Sequence, residues 1–215
     1  MADLPVVLCY GDSNTWGYDP ASGERFPRDV RWPGVLAGLL DGEARIIEEG
    51  LNGRTTVRED PYEPGRNGLA YLAPCLESHR PFDVVVIMLG TNDLKATFGL
   101  AASDIAAGAA VLVQAAQHSG AGPSGAAPQV LLVSPPALGD VHDHMELWGF
   151  EGARERAAAL PRLYRAAALN AAAAFLDASA LVSADPSDGV HLSADSQRIL
   201  GTAIAGAVRP LLRGR

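Results

Sequence analysis

Five short apolar runs divide the 215-residue chain, at residues 6–10, 44–48, 84–89, 130–133 and 174–177. The third, Val84-Val85-Val86-Ile87-Met88-Leu89, is apolar at every position and mainly β-branched. A strand with no polar face is a central parallel strand, covered on both sides. Between the runs lie stretches of helical period, near residues 30–41, 67–79, 101–119, 151–173 and 193–212. Strand-helix alternation predicts an α/β protein of three layers, a five-stranded parallel sheet with helices on both faces. A flavodoxin-like strand order sets strands 1 and 3 side by side at the switch point, where ligands bind in such sheets.

Breaker residues refine the picture. Pro27 and Pro33 interrupt the first helix pattern, while Asp104 and Gly120 stand where the caps of the third belong. Residues 120–128, rich in Gly, Pro and Ala, read as a flexible surface loop. Residues 137–150 form a second long connection, with His142, His144, Met145, Leu147, Trp148 and Phe150. Its aromatic content fits a pocket rim or a subunit contact. His142 and His144, two apart beside Asp140 and Asp143, lack the further ligands a metal requires and read as a solvated loop. No internal repeat or shift in composition marks a boundary, so residues 1–215 read as one domain.

Composition excludes some functions. Apolar residues make up 48% and charged residues 20%, ordinary globular usage that argues against disorder. Seventeen basic against 25 acidic side chains leave a net charge of −8 and no basic run, which argues against nucleic acid as partner. The start of the chain has Asp3, no basic region and an apolar stretch of five residues, too short for a secretory signal. No segment approaches the ~20 apolar residues of a membrane span. These features predict a soluble cytoplasmic protein, with Cys9 and Cys75 reduced.

The chemistry concentrates after the strands. Ser13, in Gly11-Asp12-Ser13-Asn14, follows the first strand, where unpaired backbone N–H groups could hold an oxyanion. Alone, this segment fits a helix cap as well as a nucleophile. Serine needs a base. Of the five histidines, His79, His118, His142, His144 and His191, the last stands out in Asp188-Gly189-Val190-His191. Three residues across a turn let Asp188 reach one ring nitrogen of His191 and leave the other for Ser13. A surface Asp-Gly turn is the rival reading. Asn92, in Gly90-Thr91-Asn92-Asp93 after strand 3, can donate an amide hydrogen into the same crevice, or serve its own turn. Gly53, in Leu51-Asn52-Gly53-Arg54 after strand 2, can bring its N–H close to a ligand, or simply make an Asn-Gly turn. Together the four segments place a nucleophile, two oxyanion donors, a base and its orienter at one end of one sheet, the set that acyl transfer needs.

The four segments, in this order, resemble the blocks of the SGNH/GDSL hydrolase superfamily and span nearly the whole chain. Thr15-Trp16-Gly17, Glu48-Glu49-Gly50-Leu51, Met88-Leu89-Gly90 and Ser134-Pro135-Pro136 extend the resemblance to the mycobacterial-type arylesterase/acyltransferase subgroup. The resemblance implies a three-layer α/β/α fold without metal or cofactor. It implies hydrolysis of small acyl and aryl esters by Ser13, His191 and Asp188, with Ser13, Gly53 and Asn92 as the oxyanion hole. It further implies acyl transfer to alcohols or perhydrolysis, and assembly into homo-oligomers. One departure is Asn14, where the superfamily has Leu, which sets a polar side chain beside the nucleophile. Asp12, Asn14 and Trp16 are the candidates for the substrate pocket, and Trp16 serves equally as a core or interface aromatic. A carbohydrate esterase, a thioesterase and a non-catalytic binding module on the same scaffold are the rival functions.

Overall fold

A computed structural model describes residues 4–140 and 143–213. Its centre is a sheet of five parallel strands, β1 (Val6–Gly11), β2 (Arg45–Gly50), β3 (Val84–Met88), β4 (Gln129–Ser134) and β5 (Ala174–Asp177), in the order β2-β1-β3-β4-β5. This is the flavodoxin-like order expected from the sequence.

Every residue of β1 and β3 is buried, because helices cover both faces. Side chains alternate across the sheet. Leu8, Tyr10, Val85 and Ile87 face one core, with Leu72, Ile105, Leu112 and Leu160. These last four come from α3 (Gly68–His79), α4 (Ala102–Gln117) and α6 (Ala153–Asn170). Val7, Cys9, Val86 and Met88 face the other core, against Trp32, Leu36, Leu200 and Ile204 of α2 (Trp32–Leu39) and α7 (Ala194–Arg213). Cys9 and Cys75 are free thiols, one in each core, so the sheet separates them.

Pro33 falls in the first turn of α2, where its missing N–H costs nothing, so it starts the helix rather than interrupting it. Asp104 accepts the Ala101 N–H at 3.0 Å and closes the start of α4. The loop at 120–128 differs from expectation. Ala121, Gly122 and Pro128 are buried, and the Ala121 carbonyl accepts the Phe82 N–H, so both ends of the loop are packed. Two short helices, α1 (Ser13–Trp16) and α5 (Asp143–Leu147), had no periodic signal because neither is long enough to show one. No described helix is long and apolar enough to cross a membrane.

In-register pairing aligns Gly11 of β1 with Gly50 of β2 and Met88 of β3. Three strands therefore end level, and the segments that follow them emerge together at one rim of the sheet. The switch point lies at this rim, with β2 and β3 on opposite sides of β1.

Candidate active site

Ser13 opens α1, one turn of helix that begins directly after β1. Asp12 caps it by accepting the Asn14 N–H at 2.9 Å. Residue 13 is the first helical position, so its N–H has no acceptor within the helix and stays available to a ligand. Ser13 Oγ lies 2.9 Å from His191 Nε2. His191 Nδ1 lies 2.7 Å from Asp188 Oδ2. The second Asp188 oxygen accepts the N–H groups of Val190 and His191 at 2.8 and 2.9 Å, which folds the Asp188–His191 turn around the carboxylate. Burial opposes ionisation of Asp188, but hydrogen bonds from the His191 ring and backbone outweigh it and hold its pKa below the usual 3.8. The geometry lets a proton on Ser13 Oγ pass to His191 while Asp188 fixes which ring nitrogen carries the other.

Gly53 sits at the third position of a turn closed by the Arg54 N–H on the Leu51 carbonyl, with φ +76°. A positive φ at that position suits glycine. Asn92 follows β3 and donates one amide hydrogen to the Arg54 carbonyl at 3.1 Å. An amide carries two, so one remains for the crevice. Gly90, between β3 and Asn92, leaves room for Tyr164. It has φ +121°, and a Cβ there would lie 2.1 Å from the Tyr164 hydroxyl, which donates to the Leu89 carbonyl at 2.8 Å.

Ser13, Gly53, Asn92 and His191 line a cavity of about 500 Å³. Its lining mixes the apolar side chains of Tyr18, Tyr62, Leu147, Trp148, Phe150 and Val190 with the polar ones of Asn52, Asp60, Glu63, Lys95 and Thr97. Leu147 is exposed and Trp148 half-buried at the edge of the cavity, whereas Phe150 is buried in the core beneath it. His142 and the side chain of His144 lie outside the described residues.

The expected pocket residues are elsewhere. Asp12 and Asn14 are fully buried behind Ser13, and Trp16 packs under the Arg25 guanidinium, 5.0 Å from its ring centre. None of the three lines the cavity. The reason is the single turn of α1, which directs residues 14 and 15 into the protein. Asn14 instead brackets His191. Its Oδ1 accepts the Leu192 N–H at 3.0 Å and its Nδ2 reaches the Val190 carbonyl at 3.4 Å.

The sequence also passed over the cavity residues Tyr18, Asp60 and Lys95. After α1, Gly17 takes a left-handed turn, φ +90°. Tyr18 then stacks on the His191 ring, with centroids 4.1 Å apart. The Gly17 turn was the available signal. Asp60 and Lys95 pair at 3.4 Å across loops without periodicity. Two buried carboxylates lie deeper. Desolvation pushes Asp12 and Asp93 each up to about 6, against their hydrogen bonds to the Asn14 and Thr56 N–H groups. Glu49, Cys75 and His79 bring three ligand-type atoms within 4.8 Å of one another, outside the cavity. His79 pairs there with Glu49 at 3.3 Å.

The parallel sheet, its strand order and the residues gathered at its rim define an SGNH-type hydrolase fold. Residues 9–199 match the GDSL-like lipase/acylhydrolase family, and the chain belongs to that family. It is similar to the solved M. smegmatis aryl esterase at 45% identity, covering 96% of this chain and 99% of that one, with TM-score 0.91. It is similar also to a carbohydrate acetylesterase family member from Sinorhizobium meliloti at 38% identity, covering 98% and 100%, with TM-score 0.92. No curated protein matches it.

Proposed function

We propose that the protein is a serine esterase that forms an acyl-enzyme on Ser13 and passes the acyl group to water or to an alcohol. The observation that carries this reading is the unbroken chain from Ser13 Oγ through His191 to Asp188, at 2.9 and 2.7 Å, on the wall of a cavity. In this scheme His191 takes the Ser13 proton as Oγ attacks the ester carbonyl. The Ser13 and Gly53 N–H groups and the free Asn92 amide hydrogen hold the oxyanion. Protonated His191 then gives its proton to the departing alkoxide. Water or an alcohol repeats the sequence in reverse, and transfer competes with hydrolysis wherever the apolar part of the lining favours an alcohol over water.

Small acyl and aryl esters fit the aromatic rings of Tyr18 and Trp148, and the aryl esterase among its relatives supports them as substrates. A second reading is favoured by the polar part of the lining. Asp60, Glu63 and Lys95 offer charged partners to hydroxyl groups, which suits an acetylated carbohydrate bound beside the aromatic rings. Burst titration with a p-nitrophenyl ester tests the central claim. One acyl group per chain is expected in the wild type and none in Ser13→Ala, and wild-type turnover by that variant would refute the nucleophile. Comparing short p-nitrophenyl esters, acetylated sugars and acyl thioesters then ranks the substrate classes.

A further inference from the structure

Arg54 lies directly after Gly53 and belongs to no part of the scheme above. It is 3% exposed. Its Nη1 donates to the Gly11 carbonyl at 2.9 Å and to the Glu49 carbonyl at 2.5 Å. Its guanidinium lies over Tyr10 at 4.3 Å and Tyr71 at 5.2 Å from the ring centres, and the two rings are nearly parallel. Its own carbonyl receives the Asn92 amide. One residue therefore joins the ends of β1 and β2 through its side chain and the segment after β3 through its backbone. Gly11 is two residues before the nucleophile, Gly53 is its direct neighbour, and Asn92 hangs from its carbonyl.

We propose that Arg54 is the positioning residue of the oxyanion site. Its side chain fixes the loop that presents the Gly53 N–H, and that fixed loop sets where its carbonyl holds the Asn92 amide. This rests on the reading of Gly53 and Asn92 as oxyanion donors. The guanidinium suits the task because it is flat and permanently charged, and stacks on rings while donating in its own plane. An ammonium meets one of these requirements at a time. The donors act on charge that develops only in the transition state, so a displaced loop lowers kcat and leaves ground-state binding nearly intact.

The test measures kcat and KM of Arg54→Ala, Arg54→Lys and Asn92→Ala on p-nitrophenyl acetate, with and without low-millimolar guanidinium chloride. Arg54→Ala is expected to lose about 100-fold in kcat, the scale of a 1 Å misplacement, with KM within about threefold of wild type. Guanidinium is expected to restore part of that kcat saturably, and to leave Asn92→Ala unmoved. Arg54→Lys, which keeps a buried donor if the Ala variant does not fold, is expected to fall between Ala and wild type in kcat at unchanged KM. An Arg54→Ala enzyme with kcat near wild type overturns the proposal. So does a loss that neither guanidinium nor lysine recovers, or an Arg54→Lys loss carried by KM. Wild-type kcat in Asn92→Ala is a different failure. It removes the donor reading itself, whatever Arg54 does.

Discussion

The Tyr18 ring lies on the imidazole of His191, centroids 4.1 Å apart and planes tilted by 32°, while Trp148 meets the same imidazole edge-on at 5.4 Å. Trp148 and Tyr18 also touch each other at right angles. Two rings thus confine the group that, in the proposed mechanism, faces both Ser13 and a leaving alkoxide. Tyr18→Phe keeps the stack and is expected to retain near-wild-type kcat. Tyr18→Ala frees the imidazole and is expected to lose about 10- to 100-fold in kcat. Steady-state kinetics of the pair decides, and equal losses in both variants would assign the effect to the hydroxyl instead.

Asp188→Asn isolates the role of charge and tautomer. The amide oxygen can still accept the Val190 and His191 N–H groups, so the turn and the fold are expected to survive. The NH2 would then face Nδ1 and leave the remaining ring proton on Nε2, where it cannot accept from Ser13. If the proposed triad operates, loss of about 10⁴-fold in kcat is expected, as in known serine triads with this change. Circular dichroism and turnover together check it. Unchanged turnover would remove Asp188 as the group that orients His191.

Asn14→Ala is expected to act mainly on stability. It leaves the Leu192 N–H and the Val190 carbonyl buried without their partner, at a cost of about 1–3 kcal/mol. Urea denaturation should show a lower midpoint with unchanged slope. A midpoint equal to wild type would mean that the His191 segment is held by other contacts.

Asp93 gives stability an acid-side dependence of unusual sign. Unfolded, its carboxyl ionises near 3.8, and folded, burial raises it to about 6. Between those values the folded chain keeps a proton that the unfolded chain has lost. Raising the pH from about 4 to about 6 therefore weakens the fold through Asp93 and, likewise, through Asp12. Asp188 works oppositely, adding stability that is lost only as pH falls through its lowered value. Asp93→Asn should gain stability relative to wild type across pH 4 to 6, by about 1–3 kcal/mol, and hold that gain above it. A stability difference independent of pH would refute the assignment.

The strands were legible because burial on both faces leaves an uninterrupted apolar run, as in Val84–Met88. The segments that meet at the rim were legible because each carries a short chemical signal after a strand. The pocket was not. Sequence adjacency suggested Asp12, Asn14 and Trp16, but a helical turn sends neighbours of Ser13 in different directions, and the chain must pass Gly17 before Tyr18 returns to the site. Asp60 and Lys95 come from loops whose course depends on contacts rather than on period. Asn14 shows the same limit in reverse. Its polarity was visible, yet only the fold reveals that the polar groups it serves are the backbone on either side of His191.

The Ser13–His191 hydrogen bond joins residues 178 positions apart, and the serine follows the first strand while the histidine precedes the last helix. During synthesis the nucleophile of the proposed mechanism leaves the ribosome long before its base exists. A chain that stops short of residue 188 lacks both His191 and α7, so one face of its sheet stays partly uncovered and it is expected to be inert towards esters. Ester turnover in a cell-free translation mixture would accordingly report the arrival of the last helix and the closing of the second core together.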